Sequence, residues 1–326
     1  MDYTLSEIAN GVYAWVAPHG GWGYSNTTLI AGHQASLLID TLWDLPRTAW
    51  MLDAFRSRLG SAPITQVVNT HSDGDHWFGN QLTGSAEIVA TRAAALQMNN
   101  HGPGQMGALR AASRVFRAMR GDWRAAADYF DAMLLPFDFR NIKPALPTRT
   151  FSGKLQIAPG GRRVELIELG PAHTAGDLVV YLPDDRVLIA GDILFHGVTP
   201  VLWDGSAANW IRACERILDW KVDVVVPGHG PVTDLGAVDA MRKYWQFLER
   251  AVRPHIDQGM PPVLAARRIA RSDEFREQPF AKWDGQERIM VNVHAIYRGL
   301  SGKRGMGVVE RLNVLRKTAL MARESA

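Results

Sequence analysis

Short apolar runs bounded by Gly, Pro or Asp recur along the first two thirds of the chain. Ile64 to Val68 and Val222 to Val226 are typical, since each has the length and the β-branched composition of a buried strand. Before the first of these runs, Pro46 to Leu59 places apolar residues at helical spacing. Alternating strands and helices predict a mixed α/β domain. The predicted strands are Gly11 to Val16, Thr27 to Ala31, Ser36 to Ile39, Ile64 to Val68, Glu87 to Ala90, Val164 to Leu169, Leu178 to Leu182, Val187 to Ala190 and Val222 to Val226, and Ala207 to Trp220 is a second helix.

The stretch from Thr91 to Leu135 interrupts this alternation. It is rich in Ala, Met and Arg, has helical spacing and is broken at His101-Gly102-Pro103-Gly104. It is either a helical hairpin packed on the body or a lid whose Met and aromatic side chains line a hydrophobic substrate channel. The side chains concerned are Met98, Met106, Phe116, Met119, Trp123, Tyr129, Phe130 and Met133.

From about Asp234 onward the pattern is helical only. Because 326 residues exceed one average core, we predict a first domain over residues 1–235, with the helical insertion at about 91–135, and a helical extension over residues 236–326. The extension either covers the site or forms a dimer surface, so a homodimer is one expectation. Its predicted helices are Ala237 to Val252, Pro262 to Ser272, Gln286 to Gly299 and Val308 to Ala322.

Composition narrows the class of protein. Apolar residues at 47% and charged residues at 21% are the proportions of a soluble globular protein, and no apolar run has the length of a transmembrane helix. The net charge of +3 is small and its basic residues are interspersed with acidic ones, so neither nucleic acid nor membrane is an expected partner. The N-terminal residues do not resemble a secretory signal, which favours a cytoplasmic location. The only cysteine, Cys214, excludes a site built from several thiolates, so metal ligands must be imidazoles and carboxylates.

The heptad Thr70-His71-Ser72-Asp73-Gly74-Asp75-His76 follows the apolar run Ile64 to Val68 directly. It places four potential metal ligands within six residues. His71 and Asp73 alternate and can point the same way in an extended chain, whereas Asp75 and His76 follow Gly74, where a turn can aim them at a second point. The spacing therefore predicts two adjacent metal ions.

Three more potential ligands each follow an apolar strand: His173 in a turn after Val164 to Leu169, Asp192 after Val187 to Ala190, and His229 after Val222 to Val226. The carboxyl ends of strands are where α/β sheets gather their functional loops. We therefore expect these side chains to converge on the heptad.

In order and spacing, these motifs resemble those of the metallo-β-lactamase superfamily. The resemblance covers roughly residues 10 to 235 and rests on the heptad, the His173 turn, Gly191-Asp192 and Pro227-Gly228-His229-Gly230. It implies an αββα sandwich with a metal site along one edge. It also implies that His71, Asp73 and His173 hold a first metal, that Asp75, His76 and His229 hold a second, and that Asp192 bridges both.

One position departs from the family pattern, because Asp73 stands where the family usually has histidine. An added carboxylate moves metal preference from zinc toward iron or manganese, although zinc accepts carboxylates readily. Two zinc ions are the leading expectation, with iron or manganese as alternatives.

Hydrolysis is the simplest chemistry for two divalent ions, which activate water and polarise a carbonyl. Asp75 would orient the nucleophile or pass a proton to the leaving group, and His196 would be a substrate contact or proton donor. Oxygen atoms that orient ligating histidines are expected from the nearby polar residues Asp40, Thr174 and Asp177.

The substrate expected from the nearby aromatics is a bulky acyl group. These aromatics are Trp22, Tyr24, Trp77, Phe78, Phe195 and Trp203. Trp77-Phe78-Gly79-Asn80 and the tail Asn292 to Arg298 look like polyketide cyclase/thioesterase members of bacterial secondary metabolism, which implies a thioester on a carrier protein or coenzyme A. Lactones, esters and β-lactams are neighbouring options, and a non-haem di-iron oxygenase or a metal-bound binding module are the alternatives of another class.

Overall fold

The computed structural model describes residues 3–60, 62–303 and 305–325. Its strands form two sheets. The first has seven strands in the order β1-β2-β3-β4-β5-β6-β7, and the second has five in the order β12-β11-β10-β9-β8. The strands are β1 Thr4–Ala9, β2 Val12–Val16, β3 Thr27–Ile30, β4 Ser36–Ile39, β5 Ile64–Val68, β6 Glu87–Thr91, β7 Arg149–Phe151, β8 Lys154–Ile157, β9 Val164–Glu168, β10 Leu178–Leu182, β11 Val187–Phe195 and β12 Val224–His229.

Ten α-helices complete the described part of the chain. Asp44 caps the first helix by accepting a hydrogen bond from the Arg47 amide, and Pro46 stands in its first turn, where a missing N–H costs nothing. The helices are α1 Leu45–Leu59, α2 Arg92–Asn100, α3 Gly104–Ala118, α4 Asp122–Leu134, α5 Ala207–Leu218, α6 Leu235–Asp257, α7 Pro262–Arg271, α8 Asp273–Arg276, α9 Ile289–Leu300 and α10 Val308–Ser325.

The two sheets pack face to face. Apolar side chains from both, such as Ile39 and Val68 of the first and Val180 and Ile189 of the second, form one buried cluster between them. Helix α1 buries Phe55 on the outer face of the first sheet, and α5, α6 and α9 cover the outer face of the second. This is an αββα sandwich with a helical insertion and C-terminal helices, as predicted.

The order of strands places the polar ends of several strands at one edge. In the first sheet, β4, β5, β6 and β7 are parallel. In the second, β11 and β12 are parallel to each other. Parallel neighbours end at the same edge, so the segments after β4 and β5 lie together there.

Two predicted strand ends were wrong, and three short strands were not predicted. Strand β11 does not end at Gly191-Asp192 but continues through three buried apolar residues to Phe195, with a register shift at Gly191. Strand β12 runs to His229, two positions beyond Pro227. The short strands β1, β7 and β8 were not predicted, because they lie at or near sheet edges and expose much of their surface.

The C-terminal helices share a buried cluster with α5 and the second sheet, in which Trp245 stacks against Trp210. The division of the chain at 235/236 stays a prediction. Within the insertion, α3 and α4 are separated by a second break at Gly121, whose φ of 67° few other residues adopt. None of the helices described is both long enough and apolar enough to cross a membrane.

Candidate metal centre

Four segments meet at one edge of the sandwich and bring the predicted ligands together. The chain leaves β5 at Val68 and enters a short 3₁₀ turn, Gly74–His76. The turn after β9, the kinked middle of β11 and the last residue of β12 supply the other ligands. The seven side chains brought together are His71, Asp73, Asp75, His76, His173, Asp192 and His229.

These side chains form two groups with a carboxylate between them. His71, Asp73 and His173 place ligand atoms within 4.8 Å of one another, and so do Asp75, His76 and His229. The Asp192 carboxylate reaches both groups, since its Oδ2 lies 3.3 Å from Nε2 of His173 and 3.3 Å from Nε2 of His229. The arrangement matches two neighbouring ion positions with a shared carboxylate. That these residues bind metal stays a prediction.

Unpartnered atoms inside the cluster fit the same interpretation. Nε2 of His71, Nε2 of His76 and Oδ1 of Asp192 are buried and have no hydrogen-bond partner among the described residues. His76 Nε2 and Asp192 Oδ1 lie 3.2 Å apart without forming a hydrogen bond. A buried polar atom without a partner is unfavourable, and divalent ions in the two groups would satisfy all three. The donor set therefore fits divalent cations.

Three histidine rings of the cluster are each held through Nδ1, the nitrogen that points away from the cluster. Nδ1 of His76 lies 2.8 Å from Asp40 Oδ2, that of His173 lies 2.6 Å from the Val201 carbonyl oxygen, and that of His229 lies 3.0 Å from the Tyr24 carbonyl oxygen. These acceptors place the proton of the neutral ring on Nδ1 and leave the lone pair of Nε2 directed into the cluster.

His71 is held in the same way by a hydroxyl. Thr70 Oγ1 donates to Asp40 Oδ2 at 2.7 Å, so at 3.0 Å it accepts from Nδ1 of His71. Asp40 also accepts from the Thr70 amide and has a φ of 60°, which is uncommon for a residue other than glycine. One buried carboxylate thus orients two of the four histidines.

Thr174 and Asp177 were also expected to orient histidines, but neither forms a hydrogen bond with a histidine ring of the cluster among the described residues. Asp177 accepts hydrogen bonds from the Thr174 amide and hydroxyl and from the Ala172 amide. Both therefore stabilise the turn around His173, while the His173 ring itself donates to Val201. Sequence reasoning missed that contact because a backbone carbonyl carries no residue-type signal.

Asp73, the residue that departs from the family pattern, has a neighbour that the sequence did not connect with it. Trp203 Nε1 donates to Asp73 Oδ2 at 3.1 Å. The Arg311 guanidinium lies over the Trp203 ring, 5.2 Å from its centroid, and makes two 2.8 Å contacts with Asp204. The indole orients the carboxylate, and an ion pair from α10 fixes the indole.

The cluster shifts the pKa values of its own members. Burial and the neighbouring rings of His76 and His173 lower the pKa of His71. For His173, burial lowers the pKa but Asp192 and Asp73 outweigh it and raise the pKa to about 10. Burial is likewise outweighed at His76, where Asp192 is the strongest of the carboxylates that raise its pKa. Protons therefore compete with metal for these two rings.

A cavity of about 870 Å³ opens over the cluster. Its floor includes Asp73, Asp75, His173, Asp192 and His229. Its walls come from the Gly21-Trp22-Gly23 loop, the inserted helix α3 and the C-terminal helix α10. The extension thus covers the site, which is one of the two roles predicted for it.

The predicted lid contributes to this wall only in part. Met106 and Met133 line the cavity, whereas Met98 and Phe130 are buried in the core beneath it and Met119 is exposed. The remaining members pack on other residues: Phe116 stacks on Trp123, and Tyr129 donates to Glu287.

The predicted aromatic substrate contacts divide in the same way. Trp22, Phe78, Phe195 and Trp203 line the cavity. Trp77 is fully buried and Tyr24 packs against Phe137, so neither forms part of the cavity wall.

His196 was wrongly predicted to face the cleft. Its Nδ1 lies 3.0 Å from the Pro231 carbonyl oxygen, and it is not among the residues that line the cavity. The neighbouring Phe195 faces the site instead and stacks on His229 with ring centroids 5.0 Å apart. Regular alternation would place residue 196 on the same side as Asp192, four positions earlier, but the register shift between Gly191 and Phe195 breaks that alternation.

Comparison with known proteins agrees with this geometry. Residues 20–229 match the metallo-beta-lactamase superfamily. The chain belongs to this superfamily. Among solved structures, this metallo-β-lactamase superfamily protein is similar to the sec-alkylsulfatase Pisa1 from Pseudomonas sp., with a TM-score of 0.69 and 18% identity over 91% of this chain and 50% of that one. The shared fold therefore includes part of the C-terminal helical region.

Two relatives have related sequences. The 2,4-dinitroanisole O-demethylase subunit alpha of Nocardioides sp. is 26% identical over 210 residues, 64% of this chain and 53% of that protein. The acyl-coenzyme A thioesterase MBLAC2 of Gallus gallus is 26% identical over 241 residues, 70% of this chain and 80% of that protein. The chain thus spans about half the length of the O-demethylase subunit and of the alkylsulfatase.

Proposed function

We propose that this chain is a binuclear metal-dependent hydrolase that cleaves an acyl ester or thioester. The observation that carries the proposal is the double cluster itself, in which Asp192 joins two groups of ligands and the buried Nε2 atoms of His71 and His76 lack a partner in the part of the chain that the structure describes. His71, Asp73 and His173 would hold one ion, and Asp75, His76 and His229 the other. We propose zinc for both positions, because zinc accepts imidazole and carboxylate ligands alike.

The ions would supply an activated water and a Lewis acid for the substrate carbonyl. The chain supplies orientation and proton transfer. Asp75 lies on the cavity floor, with Oδ2 3.5 Å from His229 Nε2, and its carboxylate would accept a proton and deliver it to the leaving group. Asp40 and Thr70 hold His76 and His71 in place, which limits the motion of the site during turnover.

The cavity supports an apolar acyl substrate. Trp22, Phe78, Phe195, Met106 and Leu312 surround a space large enough for a drug-sized or medium-chain group. The similarity to an acyl-coenzyme A thioesterase supports a thioester as the scissile bond. The narrower proposal is a small-molecule or carrier-bound acyl thioester, such as a polyketide intermediate of secondary metabolism.

Metal analysis joined to a substrate panel tests the proposal. Protein purified without added metal is analysed for its elements and by absorption, and is then assayed against a thioester, an ester, a lactone, a β-lactam and an alkyl sulfate. Two zinc ions per chain and turnover of the thioester or ester are the expected results. Stoichiometric iron with an oxo-bridge band would contradict the proposal in favour of a di-iron oxygenase.

A further inference from the structure

Three arginines of the C-terminal extension line the cavity, and they differ in their partners. Arg298 pairs with both carboxylate oxygens of Glu310 at 2.7 Å, and Arg311 makes two 2.8 Å contacts with Asp204. Arg288 also lines the cavity, but none of its contacts within the described part of the chain is with a carboxylate.

Arg288 is only 4% exposed. One terminal nitrogen donates to the Thr199 carbonyl oxygen at 3.2 Å and the other to the Gly20 carbonyl oxygen at 3.1 Å. Its Nε has no hydrogen-bond partner among the residues described. Since a guanidinium carries five N–H donors, these contacts leave donors available.

The surroundings of Arg288 hold it in place without neutralising it. Its Cζ lies 4.5 Å from the centre of the Trp22 ring, and Trp22 Nε1 donates to the Tyr129 hydroxyl at 2.8 Å. The adjacent carboxylate, Glu287, accepts a hydrogen bond from the same hydroxyl at 2.9 Å. A buried cation with two carbonyls and a ring for partners is stabilised less than one paired with a carboxylate.

We propose that Arg288 binds an anionic oxygen group of the substrate, either a carboxylate or a phosphate. The inference rests on the proposed function and extends it from the scissile bond to a second recognition point. Trp22 contacts both Arg288 and Trp203, and Trp203 Nε1 donates to Asp73. The anion would therefore bind at Arg288, in the same cavity as the cluster but apart from the scissile bond. The anion belongs either to the acyl group or to the phosphopantetheine or coenzyme A that carries it.

Titration calorimetry on the metal-loaded full chain tests the proposal. The probes are decanoate, coenzyme A and, as the neutral match of decanoate, decanamide. The Arg288→Gln variant is expected to bind decanoate or coenzyme A at least about tenfold more weakly, since it loses charge-assisted hydrogen bonds. Decanamide affinity is expected to stay within about twofold of the parent. Loss for decanoate assigns the anion to the acyl group, and loss for coenzyme A assigns it to the carrier.

Arg298→Gln is the matched control, because it removes an equal charge from the same cavity but from an arginine that already has a carboxylate partner. Any of three results would overturn the proposal. They are an equal loss of anion affinity in Arg298→Gln, a loss of decanamide affinity in Arg288→Gln equal to its loss of anion affinity, and unchanged anion affinity in Arg288→Gln. Should Arg288→Gln not fold, Arg288→Lys decides the question. Its affinity for decanoate or for coenzyme A, each relative to its affinity for decanamide, is expected to fall at least about threefold, because an ammonium cannot reproduce the planar fork. Unchanged ratios for both anions would overturn the proposal.

The two proposals fail in different ways. If the metal-loaded chain hydrolyses none of the panel esters, the proposed hydrolysis fails while the anion-binding comparison still stands. If a neutral ester is hydrolysed and Arg288→Gln leaves anion binding unchanged, only the anion site fails.

Discussion

Replacing Trp203 by Phe tests how the unusual ligand Asp73 is held. The substitution keeps an aromatic ring near Arg311 but removes the N–H that donates to Asp73 Oδ2 at 3.1 Å. A hydrogen bond to a charged group contributes about 1.5–3 kcal/mol, and groups that orient metal ligands change affinity by about 10–100-fold. The Asp73 side chain is 32% exposed, so water replaces part of the lost contact. We therefore expect the low end of the 10–100-fold range, so that one of the two ions binds about tenfold more weakly.

The assay is competition for zinc against a chelator, with the metal-free variant checked for native thermal unfolding. Trp22→Phe is the matched control, because Trp22 is also an indole of the cavity wall but its Nε1 donates to Tyr129, which is not a predicted ligand. Affinity that stays unchanged in Trp203→Phe, or falls equally in Trp22→Phe, would refute the reasoning.

Three further predictions concern the same centre. Gly228→Ala is expected to lower metal content at least about tenfold, because a Cβ at this position would lie 1.9 Å from Asp192 Oδ1. Gly299→Ala is the control, since its added Cβ meets no described atom within 4 Å, and equal metal content in the two variants would count against a tightly packed Asp192. Zinc binding at pH 7.5 is expected to release protons, because the pKa of His76 is raised and that of His173 is raised to about 10, and zinc affinity should therefore increase with pH up to about 10. Calorimetry in two buffers of different ionisation enthalpy measures the proton release, and a binding enthalpy that is equal in both buffers would contradict the prediction. His196→Ala is expected to keep kcat and KM within about twofold, and a loss of an order of magnitude in kcat would return His196 to the catalytic site.

Local motifs were sufficient to predict the fold class and the residues of the cluster. The heptad places four potential ligands within six residues, so their proximity required no knowledge of tertiary packing. His173 and His229 could be predicted because polar residues at the ends of apolar strands meet at one sheet edge. Asp192 was predicted as a ligand on the assumption that its strand ends there, but β11 continues to Phe195. The register shift at Gly191 could not be predicted, because it arises from the pairing of β11 with β12.

What the sequence did not reveal depends on contacts between distant segments. Helix α10 was recognisable from its spacing, but nothing in an amphipathic pattern says that Leu312 and Leu315 would close a cavity over the cluster. The interaction of Trp203 with Asp73 joins residues 130 positions apart. That Arg288 has backbone carbonyls and no carboxylate as partners among the described residues appears only once its neighbours are known. His196 was predicted wrongly because the register shift between Gly191 and Phe195, which breaks the alternation of side chains after Asp192, depends on pairing with β12 and leaves no local signal in the sequence.

The central claim is that two cations share Asp192. Crystals of zinc-loaded protein, measured at the zinc absorption edge, locate the ions by anomalous scattering without reference to activity. We predict two peaks, one among His71, Asp73 and His173 and one among Asp75, His76 and His229, with neither retained at full height in Asp192→Ala. A single peak, or two peaks that stay at full height without Asp192, would contradict the account.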